Sequence, residues 1–388
     1  MPRHVIQSIY EKQREKIVEW KNDDPAKQVV SGPYKLLYYD DTVVIYQRID
    51  DWWSKNVFGL PKPRYIGYLL FKDNPTANAA FEREEVDWDG DFVPDIWKLF
   101  DKGRGTWFSD RPYFVGESTV VLAINNERDY LKNIDLRRAI AYAIPYTDML
   151  EKGYFNYGAQ ASLSMINDLY PQFRQWVNTT LCIQCWGSAD CRVKTDLNKA
   201  KEILDKAGIV DRDGDGWREL PDGRKLSFKI MVTYGFTDWM AMAEMIVNNL
   251  RKIGIDASTD FPEETVVSRR LLNGDYDMTF LGEGSPDFDY PWNMYRYVLD
   301  PRLSPPAGNH IRYKNQEIIG LLDRVAAAAS ADKLKEIYSR LQEIIYRDLP
   351  LIPMFYGAHW YSYSTQYWIN WPNEKNPLLA SSRTWIYK

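Results

Sequence analysis

Apolar positions recur along this chain with two alternating periods. Between Asp196 and Gly208, the residues Leu197, Ala200, Ile203, Leu204 and Ala207 fall on one helical face. Asp196 is placed to cap the first turn and Gly208 to end the last. Downstream, Leu226, Phe228, Ile230 and Val232 alternate with polar residues at the period of a half-buried strand. The pair then repeats. DWMAMAEMIVNNLRKIGI gives a second helix stopped at Gly254, and Asn273-Gly274 turns the chain into the strand YDMTFLG. Upstream, GESTVVLAINN opens a strand after Gly116. Leu136, Ala139, Ile140, Ala143 and Ile144 then stripe a helix with Asp135 near its positive end and Pro145 as its stop. A long helical stretch from Asn315 to about Tyr346 leads into the apolar run LPLIPMFY. Nearer the start, residues 1–20 carry Val5, Ile9, Ile17 and Trp20 at helical spacing. Ser31-Gly32-Pro33 makes a turn, and two short strands flank a hairpin loop at Asp40-Asp41. PKPRYIGYLLF adds a strand and TANAAFEREEVDW a helix. Strands alternating with helices predict an α/β class with a mostly parallel or mixed sheet.

Composition narrows the function. A chain of 388 residues exceeds one ordinary small domain, so two domains, or one and a large piece of another, are expected. The net charge of -5 is spread over interspersed charges of both signs, which leaves no basic stripe for nucleic acid and no polybasic patch for a membrane. No apolar run reaches the length of a bilayer span. Aromatic residues are in excess, with 15 Trp, 27 Tyr and 15 Phe, which fits either an aromatic-lined ligand cleft or a ring-rich core. Cys182, Cys185 and Cys191 share one short loop, where one local disulfide and a spare thiol suit an exported protein; which two pair is open. A zinc site would need a fourth ligand, and His4, His310 and His359 are all distant in sequence.

No catalytic signature is present: there is no phosphate loop, dinucleotide fingerprint, nucleophile elbow or zinc-protease helix motif. With 54 acidic residues, any carboxylate pair can be proposed, so none is specific. The loop DRDGDGWRE says more. Asp211, Asp213 and Asp215 followed by Gly216 match the opening of a calcium loop, with Glu219 at its ninth and Asp222 at its twelfth position. Pro221, and Asp222 in place of Glu, depart from that pattern. The plainer reading is an acidic connection between helix and strand. Trp52-Trp53, Trp88, Trp97, Trp107, Trp239, Trp292 with Tyr290 and Tyr295, and Trp360, Trp368 and Trp371 form the aromatic clusters. Sugars stack their C–H faces on indole and bond their edges to carboxylates and amides, and YGFTDWM and GEGSPDFDYPWNMY mix those groups. Core packing is the plainer reading of each Trp taken alone.

Several of these segments, in order from about Val30 onward, resemble the extracellular solute-binding proteins of family 5, the peptide, nickel and oligosaccharide receptors of ABC importers. SGPYKLLYYDDTVVIYQRIDDWW is similar to the family's PYK hairpin and NIDLRRAIAYAI to its arginine-containing helix. DLNKAKEILDKAGIVDRDGDGWRELPDGRKLSFKI is similar to its helix, acidic loop and strand, with RKIGIDA and GDYDMTF following. YGFTDWM and WINWPNEKNP look most like the branch of thermophiles that binds cello-oligosaccharides and related β-linked glucans or mannans.

The resemblance implies a periplasmic-binding-protein-like two-lobe α/β fold (type II) with the first lobe incomplete. Residues 1–123 would be a remnant of lobe I plus a hinge strand, 124–354 a complete lobe II, and 355–388 the return to lobe I. MPRHVIQSIYEKQREK has no apolar signal region, so on this reading the chain starts inside a longer precursor. The implied role is capture of an oligosaccharide by hinge closure and delivery to a membrane permease, by a monomer outside the cytoplasm, held at the membrane by its transporter or an anchor. The expected contacts are Trp239, Asp238, Trp292 and Tyr290, with Glu283 and Asp287 accepting hydroxyl hydrogen bonds. In the family's peptide receptors an Asp in the loop after the YDxxxxG strand holds the ligand's amino group; here that place falls near Pro286, one residue from Asp287. An oligopeptide receptor and a carbohydrate-cleaving enzyme are the alternatives, together with a stable domain that binds nothing. No cofactor is expected beyond structural calcium at Asp211, Asp213, Asp215, Glu219 and Asp222.

Overall fold

A computed structural model describes residues 3–14, 20–283 and 291–377. In chain order the strands are β1 (Tyr34–Tyr39), β2 (Val43–Arg48), β3 (Tyr65–Leu69), β4 (Trp88–Asp89), β5 (Arg104–Thr106), β6 (Val115–Ile124), β7 (Ser227–Met231), β8 (Asp256–Asp260), β9 (Met278–Glu283), β10 (Leu351–His359) and β11 (Ser362–Ser364). They fall into two compact units. One gathers described residues within 1–89, 99–107 and 362–388, the other those within 90–98 and 108–361. The limits expected from sequence, at 123 and 354, fall inside β6 and β10, and both strands lie wholly in the second unit.

The first unit holds the antiparallel sheet β1-β2-β3 and the small antiparallel sheet β4-β11-β5. Asp40 closes the β1–β2 turn by accepting from the backbone N–H groups of Thr42 and Val43 at 2.7 and 3.0 Å. The predicted N-terminal helix is described over Arg3–Gln13 and the next over Asn74–Glu82, where Asp73 caps Thr76. Buried Arg104 donates to the Phe81 carbonyl at 2.9 Å and lies over the Phe81 ring. Trp371 stacks on Tyr363 at 5.4 Å.

The second unit is built on a five-stranded sheet in the order β10-β6-β9-β7-β8. The chain runs β7, helix Thr237–Lys252, β8, helix Glu264–Asn273, β9. These are two crossovers, because β7 is parallel to both β8 and β9. β6 is antiparallel to both of its neighbours, so it alone runs against the other four. Val121, Leu122, Ala123 and Ile124 on β6 are fully buried, as expected for a strand covered on both faces, whereas β7 alternates exposed Ser227 and Lys229 with buried Phe228 and Ile230. The β10 edge is closed by residues 159–161: the N–H of Ala161 donates to Met354 O and that of Tyr356 to Ala159 O. After β6, the side chain of Asn126 donates to the carbonyls of Ile311 and Pro350 at 2.9 and 3.0 Å, joining three distant segments. Asn133 caps the helix Ile134–Ala143 and Asp196 the helix Leu197–Lys206. The long C-terminal helical stretch is interrupted: helix Glu317–Ala326 ends and Ser330 caps a new one, Ala331–Asp348, by accepting from Lys333 N–H.

Candidate functional site

Parallel strands bring their carboxyl ends to one edge, and ligands of open α/β sheets bind outside that edge where the strand order reverses. Here the chain leaves β7 for β8 on one side and returns to β9 on the other, so the reversal lies between β7 and β9. Thr279 Oγ1 donates to Met231 O there at 2.9 Å. The segment after β7 carries Asp238 and Trp239, and Glu283 is the last residue of β9. All three stand at the sheet edge that the topology designates.

Trp239 is half-buried in the first turn of its helix, its ring 5.8 Å from Phe280 of β9 and 5.7 Å from Phe236. Tyr234 and Phe236, which sequence reasoning did not single out, are 39% and 42% exposed on the same loop, and Phe236 packs against Trp239. Their signal was the YGF run just before Asp238. Asp238 is buried. Burial, with Asp91 nearby adding like charge, pushes its carboxyl up to about 7, although the backbone N–H groups of residues 238 and 239 favour the ionised form. Near neutral pH it therefore carries a proton in part of the population and both donates and accepts.

Glu283 is also buried, and burial raises its carboxyl pKa while His310 opposes the shift. His310 Nδ1 stands 3.8 Å from Oε1, and Oε2 has no hydrogen-bond donor among the described residues. His310 was missed because a lone His far beyond the end of β9 carries no local pattern; Tyr297 packs its ring 5.5 Å away.

Trp292 is tied into the helical layer. Its indole N–H donates to Leu322 O at 3.3 Å, so it fastens the start of helix Trp292–Leu299 to helix Glu317–Ala326. Asp287 and Tyr290 lie outside the described residues. The aromatic excess is drawn largely into packing. Phe92, Phe114, Tyr154, Tyr157, Phe355 and Trp360 form one cluster in the second unit, with Phe114 5.0 Å from Trp360 and Tyr154 4.8 Å from Phe355. A cavity of ≈ 810 Å³ lined by Tyr142, Trp186, Asp190, Arg192 and Lys199 shares no residue with the crevice.

Among the three cysteines, Cys182 and Cys191 form the disulfide and Cys185 is the exposed free thiol, which leaves no cysteine pair for zinc. In the acidic loop, Asp211, Asp213, Asp215 and Glu219 converge, one oxygen from each lying within 4.8 Å of the others. Asp222 stays apart: its carboxylate accepts from the backbone and side chain of Arg224 at 3.1 and 2.8 Å, so it closes its own turn.

The profile of the bacterial extracellular solute-binding proteins, family 5 (middle), matches residues 2–303. The chain belongs to this family. Its members are binding proteins rather than enzymes. A structure of the periplasmic oligopeptide-binding protein of an oligopeptide ABC transporter from Thermotoga maritima, with mannohexaose bound, is 30% identical with a TM-score of 0.89, covering 97% of this chain and 69% of that one. The oligopeptide-binding protein AppA of Bacillus subtilis in complex with a nonapeptide shares the fold, with a TM-score of 0.73 at 19% identity over 94% of this chain and 67% of that one. The probable peptide-binding protein YejA of Agrobacterium fabrum is 23% identical over 365 residues, which make up 84% of this chain and 57% of that protein. The family's two-lobe α/β architecture is the one expected from sequence. Among the described residues, no helix is long and apolar enough to cross a membrane.

Proposed function

We propose that this chain is the substrate-binding part of an ABC importer that captures a β-linked gluco- or manno-oligosaccharide. The observation that carries the reading is the edge at the β7–β9 reversal, where exposed Phe236 packs against Trp239 next to the buried Asp238, whose carboxyl burial pushes up to about 7. A sugar ring offers an apolar face to Tyr234, Phe236 and Trp239 and hydroxyls to Asp238 and Glu283. The likeness to the mannohexaose-bound Thermotoga protein supports the same ligand class. A membrane permease as partner, a monomeric state and work outside the cytoplasm, at the membrane through the transporter, belong to the same proposal. The second reading, an oligopeptide ligand, is favoured by the name of the YejA relative.

Calorimetric titration with cellohexaose and mannohexaose, against a tripeptide mixture, separates the two. A sugar is expected to give saturable heat, and Trp239→Ala to weaken it more than about tenfold, a loss of about 1.4 kcal/mol. Heat from the peptides alone would replace the sugar reading. An unchanged affinity in Trp239→Ala would move the site away from the β7–β9 edge.

A further inference from the structure

We propose that residues 211–219 bind a calcium ion through Asp211, Asp213, Asp215 and the buried carboxylate of Glu219. The three aspartates are exposed, and alone they would be a solvated acidic turn. Glu219 is 4% exposed. Its Oε2 accepts from the N–H of Arg212 at 2.8 Å, and its Oε1 has no donor among the described residues. A carboxylate oxygen at that depth without a partner is strongly unfavourable, and a cation supplies the missing one. The side chain is held there by its backbone: Glu219 bridges to Val210 on one side and Lys225 on the other.

The cation now facing the cluster is Lys225, whose Nζ lies 2.5 Å from Asp215 and 3.3 Å from Asp213. Its side chain is 64% exposed, and its ion pairs are with the outer carboxylates rather than with Glu219. A divalent ion at the centre would take over these oxygens and release the ammonium to water.

All-oxygen ligands point to a hard cation, and a flexible ring of carboxylates suits calcium rather than the smaller, octahedral magnesium. Gly214 and Gly216 have φ of +80° and +92°, which let the chain fold the three aspartates inward. The loop departs from the twelve-residue calcium hand by closing at its ninth position, Glu219, since Asp222 is engaged by Arg224. Four carboxylates in an exposed loop place the affinity in the range of extracellular calcium modules, roughly 10⁻⁴–10⁻³ M. The ion would tie the end of helix Leu197–Lys206 to the approach to β7.

Titrating the full chain with CaCl₂ in a calorimeter tests this, with MgCl₂ as control and Tb³⁺ as an optical probe. Calcium is expected to bind in that range and to displace Tb³⁺, whose emission is sensitised through Trp217 inside the loop. Trp217→Phe should abolish the sensitised emission and leave the calcium heat intact. Glu219→Gln should weaken calcium by at least about tenfold, and Lys225→Met should tighten it several-fold by removing the competing charge. If Glu219→Gln loses its far-ultraviolet circular dichroism, Lys225→Met decides. No calcium heat up to 10 mM, unchanged affinity in a folded Glu219→Gln, or weaker binding in Lys225→Met would each overturn the site.

Discussion

Replacing Asp238 by Asn removes one titration and leaves the shape of the side chain. Asp238 is buried, and its carboxyl is pushed up to about 7 from an ordinary value of 3.8. Between those two pH values the folded chain holds a proton that the unfolded chain has released. Stability therefore falls as pH rises through the window: the contribution is intact below about pH 4 and lost above about pH 7. At about 1.4 kcal/mol per pH unit, the whole window is worth about 4 kcal/mol. Glu283 is raised as well and adds a term of the same sign, but it is present in both proteins and cancels in the comparison. Urea unfolding of the parent and of Asp238→Asn at pH 4, 5, 6, 7 and 8 reads the effect directly. The stability of the variant relative to the parent should rise by about 4 kcal/mol from pH 4 to pH 8, most steeply between pH 4.5 and 6.5. Parallel pH profiles would show that Asp238 ionises normally in the fold, and the account of a proton-carrying carboxyl next to Trp239 would go with it.

Two further changes bear on the scaffold of the second unit. Breaking Cys182–Cys191 with paired serines reopens a loop spanning a sequence separation of 9, and should cost about 2–3 kcal/mol in chemical unfolding. Gly158→Ala would set a Cβ 2.6 Å from the backbone oxygen of Tyr356, against rigid main chain, and should lower stability by about 1–3 kcal/mol in the same assay.

Where local chemistry decided the structure, the sequence was readable. Asp196, Gly208 and Gly254 stop and start helices because caps act within one turn, and the alternation of Phe228 and Ile230 follows from the two faces of β7. Asp238, Trp239 and Glu283 stand at one sheet edge because parallel strands deliver their carboxyl ends there. Roles set by distant partners were not readable. Trp292 is turned inward by Leu322, thirty residues away, and His310 reaches Glu283 only through the fold. Trp97 and Trp360 pack into the ring cluster because Tyr157 and Phe92 are there to receive them, a fact that no window of sequence contains. Asp222 was drawn into the calcium pattern by its spacing, but Arg224 two residues on competes for it at closer range. The break at residues 327–330 was passed over because Ala-rich stretches keep helical propensity even where Ser330 starts a new helix.

The tie between β6 and the late strand β10 also sets a timetable. Asn126 waits for Ile311 and Pro350, which lie 185 and 224 residues further along the chain. At roughly 5–20 residues per second of synthesis, β6 emerges tens of seconds before its partner exists. During that interval the central strands of the second unit have no finished sheet to join, and the nascent chain stays open. The same long-range pairing that stabilises the mature sheet therefore delays its closure until most of the chain exists.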